Sequence, residues 1–557
     1  MSEMIVPGTY IEVRPEGLIV PGRVTVNNVA VIGTAGKGPV NAVRFLSSYT
    51  QAREVFGEYD PWDKDNQDQL LTLVRALEQA FTHGATTVLA VRIADGEASA
   101  SYLLSSTSGP NVQLNANSPG EWGNELEVNV FDADTNSFVS DETHPGGAAI
   151  TLNYTPAVAS GRNRVSVFVD ADQRTILLDI VYTGTPGSGQ VKIDPPSGAL
   201  TFATGEEPAA ADEVTVSYVV EASASVKVVL RYGTQEEIYT VANGNDLTAD
   251  INGSSALAMA VAQGNAAELP DKFASATDFK LFGTGTNTRG ANGAVVGADD
   301  YKAGMDFLLK EPAHIIVAAG QSHTAIGAHL SAHVKEASSD TYKQERVGIT
   351  GSNLDDDFDD LRGHTLNSDR IVFVAPGIYA TDAATGETVT LPGSYSAAAI
   401  AGLMASFSPH ISLTNKPLPV IALQDRFTYA EVAQLLQSRV LVLQEKLGFK
   451  VVKGITTSTN TAWHQITTRR IVDYAKFGVR SAADPYIGLL NNERVRGALR
   501  ATLNSFLAEM VDDEMLISYD LDVSATRDEQ RKGIVRVTMV LRPVFSIDFI
   551  KVTMFLE

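Results

Sequence analysis

A chain of 557 residues, 44% hydrophobic and 20% charged, is too long for one hydrophobic core and calls for roughly two to four domains of ordinary globular composition. The absence of cysteine excludes disulfides and thiolate metal sites and fits synthesis in a reducing cytosol. The net charge of -23 is unevenly spread: residues 96–270 hold 22 acidic and 6 basic residues, whereas 426–511 hold 12 basic and 6 acidic. The basic residues are scattered, with no run and little aromatic interleaving, which argues against a nucleic-acid partner. No apolar run is long enough to cross a membrane, and the first residues lack the basic and apolar regions of a secretion signal.

Residues 1–22, punctuated by Pro7, Pro15 and Pro21, read as an extended arm with a strand-competent stretch over Thr9 to Val13. Val29 to Ile32, a helix over Gln69 to Phe81 and Thr87 to Ile93 have the lengths of a strand–helix–strand unit with parallel pairing. Residues 96–270 change character, with short alternating segments separated by turn signals such as Asn-Gly and Pro-Gly; this predicts an all-β domain inserted into an α/β host. The α/β pattern returns near 278. Helices are expected over Asp300 to Leu309, Ser322 to Ala337, Ser394 to Ala405, Tyr429 to Leu447 and Arg494 to Met510, and strands over His314 to Ala318, Arg346 to Thr350 and Ile371 to Val374. Ala and Gly in 394–405 permit close backbone approach. Thr428 is the expected N-cap and Gly448 the C′ residue of the 429–447 helix.

The last 24 residues read as strand. Val535, Val537, Met539 and Leu541 alternate up to Pro543, after which Phe545, Ile547 and Phe549 and then Val552, Met554 and Leu556 resume the pattern. A segment this apolar needs a sheet edge, in its own subunit or in a neighbour. Pro543 is the expected hinge between a strand that stays and a strand that leaves.

The candidate chemistry fails on spacing. Gly33 to Gly38 follows a strand, yet Gly38-Pro39 stands after Lys37 where a phosphate loop needs Ser or Thr, and Asn41 replaces the third glycine of a dinucleotide fingerprint. Asp355 to Asp360 has Asp360 and Leu366 where a calcium loop needs Gly and Glu. His329 and His333, near His314 and His323, lack the HExxH arrangement and an assignable third ligand. Trp463-His464 beside Arg469 and Arg470 has no nucleophile elbow or paired carboxylate. No catalytic, cofactor-binding or metal residue is therefore assigned, and no enzyme activity is expected.

Several ordered motifs then carry a resemblance. Val6-Pro7-Gly8-Thr9-Tyr10-Ile11-Glu12-Val13, the strand and turn from Val31 to Val40, Phe45 to Gly57, Pro119-Gly120-Glu121-Trp122-Gly123-Asn124, and Leu541-Arg542-Pro543-Val544-Phe545 leading to Phe549-Ile550 resemble, in this order, motifs of the tail sheath proteins of contractile phages and related injection particles. Residues 96–270 depart from the pattern and match no one member. The resemblance implies an α/β (α+β) multidomain fold, with a mixed-sheet core, the inserted β domain and extended β arms at both ends. The corresponding boundaries are an arm over 1–22, a core over 23–95 and 275–410, an outward-facing insertion over 96–274, a tube-facing domain over 411–542 and an arm over 543–557.

It further implies a subunit that polymerises with itself in stacked six-membered rings around an inner tail tube. Baseplate and tail terminator proteins are its other implied partners, with no cofactor, nucleic acid or membrane insertion. Its implied place is a virion tail or injection particle, assembled in the host cytoplasm. Tyr10, Ile11, Val13, Ile547, Phe549, Val552, Met554 and Leu556 become inter-subunit arm residues, and Arg469, Arg470, Lys476 and Arg480 candidate tube contacts. The alternatives are another self-assembling tail or capsid protein, or a metal-dependent hydrolase using the His314–His333 region.

Overall fold

The computed structural model describes residues 27–147 and 149–555. The expected arm over 1–22 lies outside them. The chain divides into two compact units. Of the described residues, one gathers 27–35, 40–94 and 295–555; the other holds 36–39 and the described part of 95–294.

The first unit is built on an eight-stranded sheet. Six central strands, Val88–Arg92, Val29–Gly33, Ile315–Ser322, Val347–Gly351, Ile371–Ala375 and Leu441–Glu445, run parallel in that spatial order. Val43–Leu46 and Phe449–Val451 close the two edges antiparallel. Alternation within each apolar run serves two cores, because both faces are covered. Val29 and Val31 face the helices Leu73–Thr82 and Gly393–Ala405, while Ala30 and Ile32 face Ala298–Asp306 and His323–Ala337. Gly393–Ala405 is buried on all sides. Its small residues let it approach Leu73–Thr82 so closely that a Cβ on Gly402 would stand 2.1 Å from the Ala80 carbonyl oxygen.

The expected 429–447 helix is shorter. It runs Tyr429–Gln437, with Thr428 and Glu431 forming a reciprocal capping box. Arg439 then turns the chain at φ 70°, and after the buried Val440 the chain continues as the strand Leu441–Glu445. Gly448 sits in the hairpin turn at φ 92° and caps no helix. Two further helices, Ile466–Ala483 and Glu493–Asp512, pack against each other at Gly478, where an added Cβ would meet the Phe506 ring at 1.9 Å.

The second unit is β-rich, with three antiparallel or mixed sheets and two cores. It also contains a helix, Gly244–Ser254, whose Leu247 and Ile251 are buried. Asn243-Gly244 looks like a hairpin turn in sequence. Here Asn243 instead caps the helix, its side chain accepting from the Asp246 amide at 2.8 Å. Lys37 lies over the rings of Trp122 and Tyr232, 4.7 and 5.1 Å from their centroids, so the lysine of the rejected phosphate loop packs on aromatic faces.

Candidate assembly surface

The C-terminal region builds a surface from the sheet edge outward. Leu516–Ser524 and Arg536–Pro543 form an antiparallel pair, with Ser524 opposite Arg536 and Leu516 opposite Pro543. Their alternation packs Leu516, Leu521, Met539 and Leu541 toward the 466–483 and 493–512 helices. Among the described residues this sheet has two strands, so each strand has one backbone edge without a strand partner.

Residues 544–555 follow without regular structure. Ile547, Phe549, Val552 and Met554 are 80%, 84%, 71% and 84% exposed. Tyr10, Ile11, Val13 and Leu556, the other expected arm residues, lie outside the described residues. One residue of the segment is held firmly. Asp548 accepts from Lys453 Nζ at 3.3 Å, Gln465 Nε2 at 3.2 Å, Thr414 Oγ1 at 3.4 Å and Ser546 Oγ at 3.1 Å. This site was missed in the sequence. Its one signal was an acid inside an apolar alternating run.

Of the four expected tube contacts, two are buried and two reach the surface. Arg469 is buried, bonds Asp369 and Asp473 at 2.9 Å each, and lies over Trp463. Arg470, also buried, donates to Asn27 Oδ1 and the Phe407 carbonyl; burial pulls its pKa down to about 10, with Asp473 opposing. Lys476 and Arg480 are partly exposed and both clamp Glu345, at 2.8 and 2.6 Å. Burial pushes the Glu345 carboxyl up, yet these two cations overcome it and hold the pKa below the usual range.

The other candidate residues separate. Asp357 caps the helix Phe358–Gly363. His333 is buried and accepts from Arg346 Nη1 at 3.0 Å, while His329 points to Asp299 at 4.0 Å. Among the described residues no three His, Cys, Asp or Glu side chains converge as a metal site, and no helix is long and apolar enough to cross a membrane.

Residues 294–457 match the family described as phage tail sheath protein central domain, and residues 458–557 match the phage tail sheath C-terminal domain. Residues 294–557 thus carry the two domains of a phage tail sheath protein. A tail sheath protein of Bacillus phage SP01 is 23% identical to it over 93% of this chain and 90% of that one. The fold is shared with the sheath tail protein Lin1278 of Listeria innocua, at TM-score 0.59, 14% identity and 95% coverage of both chains. It is shared also with a sheath tail protein of Desulfitobacterium hafniense, at TM-score 0.57 and 13% identity over 96% of this chain and all of that one. The contracted helical sheath of the anti-feeding prophage aligns over the full length of both chains at TM-score 0.50 and 12% identity. The tail sheath family is structural and not enzymatic, and this chain is a structural protein of contractile tail systems.

Proposed function

We propose that this sheath protein polymerises as stacked six-membered rings around an inner tube and contracts to drive that tube through a target envelope. The observation that carries the reading is the apolar segment 544–555. It lies largely exposed and follows directly from a sheet that has two strands among the described residues. Such a segment completes itself by adding a strand to a neighbouring copy, and β-augmentation supplies main-chain bonds across a flexible link. A heterologous contact of this kind propagates as a helical polymer.

The energy for contraction is stored at assembly, with the extended lattice kinetically trapped above the contracted one. Baseplate and terminator proteins bound the polymer and trigger it. The acidic insertion faces outward. The tube-facing role narrows to Lys476 and Arg480, because Arg469 and Arg470 are committed to the core.

Deletion of 547–557 is the test. The truncated chain should stay folded and fail to form sheaths in negative-stain microscopy. Normal sheaths from it would overturn strand donation.

A further inference from the structure

The C-terminal segment contrasts one buried anchor with exposed surroundings. The Asp548 side chain is 10% exposed, whereas Ile547, Phe549 and Ile550 beside it are 80%, 84% and 82% exposed. Its carboxylate collects donors from three separate parts of the fold. Thr414 comes from the loop before the 429–437 helix, Lys453 from the chain leaving the edge strand Phe449–Val451, and Gln465 from the N-cap of the 466–483 helix. Ser546 closes the arrangement from within the segment. The Lys453 ammonium also lies 5.2 Å from the centroid of the Phe549 ring, a cation–π contact that fixes the residue after the anchor. Upstream, the Val544 amide bonds the Met515 carbonyl at 3.2 Å. From Pro543 to Phe549 the segment is therefore strapped to its own subunit.

We infer that Asp548 divides the C-terminal segment into a resident strap ending at Phe549 and a departing strand beginning at Ile550. This rests on the reading that the segment is donated to a neighbour, and it moves the point of departure from Pro543 to the Asp548 clasp. A carboxylate withdrawn from water is held in place by its full set of charged and neutral donors, and losing them leaves a desolvated charge. Among the described residues nothing comparable holds Ile550, Val552 or Met554.

The clasp also sets the reach of the arm. Eight residues from Ile550 onward span at most about 28 Å, whereas fourteen from Val544 would span about 48 Å. With the clasp closed, a neighbour's acceptor edge must lie within the shorter distance. Opening it supplies about 20 Å of slack. Asp548 is thus a positioning residue for the contact between copies, acting through the strap.

The test uses the full chain with Asp548→Asn and, separately, Lys453→Met, read by hydrogen exchange in unassembled subunits and by negative-stain microscopy of assembly. In the parent chain, amides of 544–549 should exchange at least tenfold more slowly than those of 551–557. Both variants should erase that difference and leave the 516–543 hairpin unchanged, while sheaths form only at about tenfold higher subunit concentration. Equal exchange across 544–557 in the parent chain, or variants that exchange and assemble as the parent does, would overturn the clasp. A chain lacking 550–557 separates the two ideas. If it assembles normally, donation fails while slow exchange around Asp548 still stands.

Discussion

Mild acid should weaken the first unit while slightly strengthening the second. Burial pushes the His314 pKa down to about 4, helped by Arg346 and Arg470 and opposed by Glu345. It pushes His333 to about 3, beside Arg346 and Lys302, and His364 to about 4, where the Ser438 carbonyl raises it and Arg439 and His323 lower it. All three lie in the first unit. In the unfolded chain they titrate near the ordinary value of about 6.5. Between that value and the folded values the unfolded state binds more protons, so stability falls as pH falls.

From pH 7 to 5 each histidine withdraws about 2 kcal/mol, and three together about 5 to 6 kcal/mol. That approaches the whole stability of a typical domain. In the second unit, burial raises Asp246 to about 6, with Asp250 and Glu142 contributing and Asn243 opposing. Its sign is reversed. The folded state takes up the proton first, and the same acidification adds about 1 kcal/mol there.

Urea unfolding followed by tryptophan fluorescence separates the units, since Trp62 and Trp463 report the first and Trp122 the second. With Trp122 replaced by Phe, the midpoint should drop steeply at pH 5. With Trp62 and Trp463 replaced instead, it should hold or rise. Parallel shifts of both transitions, or no shift in the first, would refute the reasoning.

Three further outcomes are expected. Gly478→Ala should cost about 1–3 kcal/mol by overpacking against Phe506; Phe506→Leu should recover part of the loss in thermal melts, and a neutral Gly478→Ala would contradict the tight helix crossing. Asn252 both donates to the Ala260 carbonyl at 2.9 Å and accepts from its amide at 2.8 Å, filling the outer edge of the uncharged strand Ala258–Ala262. Asn252→Ala should cost about 1–2 kcal/mol and give concentration-dependent scattering from edge pairing, so a monodisperse variant at every concentration would count against it. Glu345→Gln should cost about 1–2 kcal/mol in melts, since the charge shared by Lys476 and Arg480 is lost while both cations keep contact with water; an unchanged melting temperature would count against the clamp.

The central sheet was legible because each of its parallel strands is buried on both faces, which leaves a short unbroken apolar run. The end of the 429–437 helix was not. Apolar residues continue at helical spacing through Leu443, and the break falls at Arg439, whose left-handed φ of 70° is a conformation that Asn or Asp would signal and Arg does not. Gly448 reads in sequence as the C′ residue of that helix and stands instead in the turn between Leu441–Glu445 and Phe449–Val451. The helix Gly244–Ser254 failed for the opposite reason, since Asn-Gly is as good a cap-and-start as a hairpin turn.

Charge was the least legible feature of the candidate surface, because a regional sum records residues and not their partners. The excess of basic residues over 426–511 is real. Yet Asp473, inside the same region, takes both guanidinium nitrogens of Arg370 at 2.7 and 2.9 Å and also binds Arg469. Glu345, outside the region, takes Lys476 and Arg480. Part of the excess is thus answered from outside the region, by Asp369 for Arg469 and Glu345 for Arg480, in pairs formed between residues 100 and 135 positions apart. Asp548 follows the same logic. Its place in an alternating run marks it as out of keeping, but only the arrival of Lys453, Thr414 and Gln465 turns that misfit into an anchor. A strand pattern therefore identifies a segment able to leave, while the polar residue that interrupts it identifies where leaving begins.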